Sequence, residues 1–160
     1  MEFKFENGNE IYKRTRLQVG PLYLSSQSYA ESTHRLSRIY TSQLPITSLY
    51  FTAIESVPEA WLEEDGLSND NFLRYSLLIG TEEYPITPGN RGGNAPVRYY
   101  INSAASTEAR EELAEKEGCG FIDSETPITT WQLKAKLTRP ANVTDVTPVI
   151  SGYRFTYTYE

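Results

Sequence analysis

The chain has 160 residues and a formal net charge of −6, from 15 Lys and Arg against 21 Asp and Glu. This length fits one domain with its own hydrophobic core, and the acidic balance argues against sequence-independent nucleic-acid binding, which requires clustered Lys and Arg. Cys119 is the only cysteine, which excludes an intrachain disulfide framework and a Cys-rich zinc site. Without a long apolar run or a signal-peptide core, the sequence predicts a soluble protein made in the cytosol, with no membrane partner.

The N-terminal part predicts three short strands. Phe3 and Phe5 share one face of a strand at 1–6, and 10–19 follows after an Asn-Gly-Asn turn, so the two predict a hairpin. A brief strand at 22–24 precedes a polar loop.

The middle of the chain alternates strands with two conspicuous loops. Strands are predicted at 34–40, 47–55, 72–79, 83–87 and 97–102. The loop at 57–70 carries five acidic residues and no Lys or Arg; we expect one helical turn after Pro58, an end at Gly66, and Trp61 anchored in the core. An acidic cation site is the alternative there, although the residue order matches no Ca²⁺ loop. The loop at 88–96 is too rich in Pro and Gly for a central strand.

One helix is predicted, at about 106–117. Ser106 or Thr107 can cap its first N–H groups, and Gly118 suits its C-terminal end. Its apolar stripe is narrow, so we expect it on the outside, packing lightly. The residues from Gly120 to Ile122 are expected to lead into a loop.

The C-terminal part carries the clearest strand pattern. Apolar and polar residues alternate along 131–138 and again along 153–159. The apolar positions are Trp131, Leu133, Ala135, Leu137, Tyr153, Phe155, Tyr157 and Tyr159. Two strands with one apolar face each can cover one side of a β-sandwich core.

No catalytic constellation stands out. His34 is the only histidine, and nothing around Cys119 resembles a nucleophile motif, so a small loop thiol is the better interpretation. Too few histidines are present for a cupin-type metal site. Acidic residues are so common that a pair of carboxylates indicates nothing. Arg91 lies in a glycine-rich loop that opens no helix, so a phosphate cradle is weakly supported and a contact loop is the functional alternative. We therefore predict no enzyme activity, no cofactor and no metal.

The closing strands resemble those of β-sandwich domains in structural proteins of tailed bacteriophages, including tail, baseplate, fibre and capsid-decoration subunits. The residues that carry the resemblance are Trp131-Gln132-Leu133-Lys134-Ala135-Lys136-Leu137 and Thr147-Pro148-Val149-Ile150-Ser151-Gly152-Tyr153-Arg154-Phe155. The resemblance implies a role by contact, as one copy in a multi-subunit virion assembled after synthesis in the host cytoplasm. No family catalytic residue comes with it.

Together these observations predict a single mainly β domain over residues 1–160. We expect an antiparallel, jelly-roll-like β-sandwich of about eight strands with one outer helix. The expected function is that of a non-enzymatic virion subunit, a homo-oligomer bound to other virion proteins. The expected contact residues are Glu63, Glu64, Asn90, Arg91, Asn94, Tyr99, Tyr100, Tyr157 and Tyr159. The alternative is a carbohydrate- or receptor-binding module for a host-surface glycan, with rings such as Trp131 or Tyr153 exposed as a sugar platform.

Overall fold

A computed structural model describes residues 29–103 and 106–159 of the chain. Within these ranges the chain forms eight β-strands and one α-helix. They are β1 (Ser32–Thr41), β2 (Ile46–Ser56), β3 (Leu73–Ile79), β4 (Glu82–Ile86), β5 (Arg98–Ile101), α1 (Thr107–Glu117), β6 (Cys119–Ile122), β7 (Thr130–Thr138) and β8 (Val149–Tyr159). The strands predicted at 1–6, 10–19 and 22–24 lie outside the described residues.

The eight strands form two four-stranded sheets. Their strand orders are β1-β7-β3-β4 and β6-β5-β2-β8. The mainly β fold with eight strands and one helix is thereby confirmed, and the two-sheet arrangement is consistent with a β-sandwich. The jelly-roll connectivity stays a prediction.

The expectation of antiparallel neighbours fails at one pair of strands, β5 and β6. They run parallel, with Arg98 opposite Cys119 and Tyr100 opposite Phe121. A parallel pair needs a crossover connection, and α1 lies between these strands in the chain. The sequence predicted no strand at 120–122, whereas these residues belong to β6. They lead into a loop, as expected.

The apolar row of β7 is buried along its length. Trp131, Leu133, Ala135 and Leu137 are each at most 2% exposed. On the neighbouring β3, Leu73, Tyr75 and Leu77 follow the same alternation and are also buried. The alternation in the sequence therefore predicted correctly which side chains of these two strands are buried.

Aromatic rings from four strands meet around Trp131. Its ring lies 5.1 Å from that of Tyr157, 6.0 Å from that of Tyr40 and 6.4 Å from that of Phe155, centroid to centroid. Phe155 in turn stacks on Phe51 at 5.2 Å. Because β1 and β7 belong to one sheet and β2 and β8 to the other, these contacts join the two sheets.

The chain divides into two compact units. Among the described residues the first contains 29–38, 54–75 and 134–153. The second contains 39–53, 76–133 and 154–159, and the ring contacts around Trp131 all lie within it.

Helix α1 lies on the outside, as expected. The Ser106 hydroxyl accepts a hydrogen bond from the Ala109 N–H at 3.3 Å, and Gly118 ends the helix in the left-handed conformation with φ of 61°. None of the helix residues is buried. Of the residues described, none belongs to a helix long and apolar enough to cross a membrane.

The core assignment of β7 predicts the effect of a truncation. Leu133→Ala removes a fully buried side chain, so we expect the free energy of unfolding to fall by about 2–5 kcal/mol. Lys136→Ala, at an exposed position of the same strand, should change it by no more than about 0.5 kcal/mol. Urea unfolding followed by circular dichroism measures both. Equal effects would contradict the assigned faces of β7.

Candidate interaction surface

Strand β5 sends alternate side chains to opposite sides of its sheet. Tyr99 and Ile101 are buried, whereas Arg98 and Tyr100 are half-buried on the other face. The Tyr99 hydroxyl accepts a hydrogen bond from the Thr87 N–H at 2.7 Å. Its ring lies against Gly120, where an added Cβ would approach a ring carbon to 2.7 Å. Tyr99, one of the predicted contact residues, is thus a core residue, while Tyr100 faces outward.

The outward face of β5 belongs to a continuous row of rings and guanidinium groups. Arg98 lies between the rings of Tyr50 and Tyr100, 5.2 and 5.1 Å from their centroids. Tyr100 stacks on Phe121 at 6.1 Å, and the guanidinium of Arg110 lies 4.9 Å from the Phe121 centroid. All five side chains are half-buried. We call these five residues the ring ladder.

Carboxylates fix the ladder at its α1 end. The two terminal nitrogens of Arg110 donate to the two oxygens of Asp123 at 2.6 and 2.9 Å, and Arg110 also donates to the Ser103 carbonyl. The Tyr100 hydroxyl donates to Glu117 Oε2 at 3.0 Å. These hydrogen bonds lower the pKa of Asp123 and raise the pKa of Tyr100 relative to their ordinary values. The side chains of Arg110 and Tyr100 are therefore held in place by hydrogen bonds within the chain.

The Asn90 side chain, which was predicted to contact a partner, instead holds the loop at 88–96 against the backbone of β2. The Asn90 amide accepts from the Ala53 N–H at 3.1 Å and donates to the Ala53 carbonyl at 2.7 Å. This two-bond pairing resembles that of a neighbouring strand. Gly92 and Gly93 then turn the loop with φ of 84° and 63°, a region that favours glycine.

The other predicted contact residues in this unit differ in accessibility. Asn94 is exposed and Arg91 half-buried. Tyr157 is half-buried and packs on Trp131, whereas Tyr159 at the end of β8 is 56% exposed. Of these four residues, Asn94 and Tyr159 are therefore the most accessible to a partner.

The acidic segment lies in the other compact unit. A 3-10 turn at Glu59–Leu62 follows Pro58, and Glu63 and Glu64 are exposed. Trp61 is half-exposed and its ring lies 5.2 Å from that of Phe72. The expectation that Trp61 is anchored in the core holds only in part: its ring contacts that of the buried Phe72, but Trp61 itself is not buried.

The two residues considered for nucleophilic chemistry are in unlike surroundings. His34 is exposed on β1, while Cys119 is buried in β6 rather than in a loop, and burial raises the pKa of its thiol. Across the two described ranges, no three His, Cys, Asp or Glu side chains are grouped so as to hold a metal ion.

Most of the ring ladder was missed from the sequence. Tyr50, Arg98, Phe121 and Arg110 were not among the predicted contact residues. The available signal in the sequence was that Arg98 and Tyr100 are two residues apart on a strand, which places both on the same face. The parallel pairing of β6, which brings in Phe121, had no clear local signal.

No family model, no curated protein and no solved structure matches this chain.

The pairing of Arg110 with Asp123 predicts a pH dependence. Because the folded-state pKa of Asp123 is lowered, the stability from this pair is present above an ordinary Asp pKa of about 4 and is lost as the pH falls through the folded-state pKa. We expect Asp123→Asn to be less stable than wild type at pH 7, with the difference narrowing in acid. Urea unfolding over a pH series measures this difference.

Glu125→Gln is the matched control, because Glu125 is an exposed acid close in the chain to Asp123. It should follow the wild-type stability profile at every pH. An Asp123→Asn difference that stays constant with pH would contradict the assigned ion pair.

Proposed function

We propose that the protein is a non-enzymatic structural subunit that acts through contacts with neighbouring subunits in the virion of a tailed bacteriophage. The observation that carries the contact role is the ring ladder. Tyr, Phe and Arg are enriched at the centres of protein interfaces, where a few such side chains supply much of the binding energy. Here they form a continuous row on an outward sheet face.

The ladder is suited to contact because it is preorganised. Arg98 is held between two rings, and Arg110 is fixed by two hydrogen bonds to Asp123. Side chains that are ordered beforehand lose less conformational entropy on association. Since all five are only half-buried, a partner can still remove apolar ring surface from water.

The virion setting is supported by the resemblance of the two closing strands to those of tailed-phage proteins. The stretches that carry it form β7 and β8, which lie in different sheets of the fold. We infer a subunit of the tail, baseplate, neck or capsid surface, present in several copies and bound to other virion proteins after synthesis in the host cytoplasm.

The contact role predicts self-association that depends on the ladder. Light scattering over a concentration series should give a discrete oligomer for the wild-type chain. Arg98→Ala removes the cation between the two rings, so it should weaken association by about tenfold or more while the variant stays folded. A wild-type chain that stays monomeric at high concentration would contradict the proposal.

Arg154→Ala is the matched control. Arg154 is an exposed arginine on β8 of the same sheet, so this change removes the same charge outside the ring ladder. Association should be nearly unchanged. If both substitutions weaken association equally, the effect comes from the loss of one positive charge and not from the ring ladder.

The alternative is a carbohydrate- or receptor-binding module, favoured by the outward, half-exposed rings of Tyr50 and Tyr100. Trp131 is 2% exposed and does not fit a sugar platform. A glycan array in which a defined sugar binds wild type and not a folded Tyr100→Ala variant would favour this alternative. Trp131→Ala is expected instead to lose stability by about 3–5 kcal/mol.

A further inference from the structure

An open cleft lies within the first compact unit, separate from the ring ladder. It has a volume of about 530 Å³, within the usual range for ligand sites. Trp61 and Leu67 from the acidic segment and Pro140 and Val143 from the connection between β7 and β8 line it, together with Phe72. Apolar side chains thus supply much of its surface.

Local hydrogen bonds shape both walls of the cleft. On one side, the Trp61 N–H donates to the Pro58 carbonyl at 2.9 Å, and the Leu67 N–H to the Glu64 carbonyl at 3.1 Å. On the other side, the Val143 N–H donates to the Pro140 carbonyl at 3.1 Å. These turns hold the lining in place.

Glu64 is the charged residue among those that line the cleft. It belongs to the segment 57–70, which has five acidic residues and no Lys or Arg. Within the described ranges no hydrogen bond or ion pair engages its carboxylate. The cleft therefore combines an indole face, an aliphatic lining and an uncompensated negative charge.

We propose that this cleft binds a Lys or Arg side chain, flanked by apolar residues, from a partner protein. The cationic head would lie between the ring of Trp61 and the carboxylate of Glu64, because cations are attracted to both. The methylene stem and the flanking residues would contact Leu67 and Val143. This inference does not depend on the ring ladder or on the virion setting.

Isothermal titration calorimetry of the full chain with the peptide acetyl-Leu-Arg-Leu-amide tests the proposal. We expect binding that is at least about fivefold tighter than that of acetyl-Leu-Gln-Leu-amide, since the glutamine lacks the charge. Glu64→Gln should weaken binding of the arginine peptide about two- to fivefold, and Trp61→Ala about tenfold, while Trp61→Phe should keep much of the affinity. Circular dichroism verifies that each variant is folded.

Glu63→Gln is the matched control, because Glu63 is the exposed neighbour that does not line the cleft. Its affinity for the arginine peptide should equal that of wild type. The proposal is overturned if the glutamine peptide binds equally well, if Glu63→Gln weakens binding as much as Glu64→Gln, or if the arginine peptide gives no heat of binding. Binding of a neutral oligosaccharide in competition with the peptide would instead identify a sugar site.

Discussion

The packing of Trp131 against rings from other strands is the interaction on which the core depends. Strand β7 supplies the indole, and the rings of Tyr40, Phe155 and Tyr157 surround it from β1 and β8. Among the described residues none accepts a hydrogen bond from its buried Nε1–H, so the burial of a large apolar surface must offset the cost of that N–H. These strands come from both sheets. Within the second compact unit, the same ring cluster therefore fills the core and packs one sheet against the other.

Strand β5 connects the core with the ring ladder, because its side chains alternate between the two. The buried Tyr99 side chain accepts a hydrogen bond from the Thr87 N–H and lies against Gly120, which fixes this face of β5 to the core. The alternation of a strand then places Arg98 and Tyr100 on the opposite face. Core packing and the proposed contact surface are thus two faces of one strand, and a defect in the first would disturb the second.

The sequence predicted those features that depend on local pattern. The alternation along β7 and the capping residues Ser106 and Gly118 of α1 are local, and each was placed correctly. The parallel pairing of β5 with β6 and the half-exposed position of Trp61 depend on tertiary packing, so the sequence did not predict them. The ring ladder combines three strands and a helix, and only Tyr100 among its residues was predicted as a contact residue. Neither the cleft nor the ladder follows from any single segment.

The claim that the ring ladder is a subunit contact surface is tested most directly by hydroxyl-radical footprinting, read out by mass spectrometry at low and high protein concentration. The account predicts that labelling of Tyr50 and Tyr100 falls several-fold in the associated state. Labelling of Tyr84, on β4 of the other sheet, should be unchanged. Equal labelling of Tyr50 and Tyr100 in both states, with association present, would contradict the account.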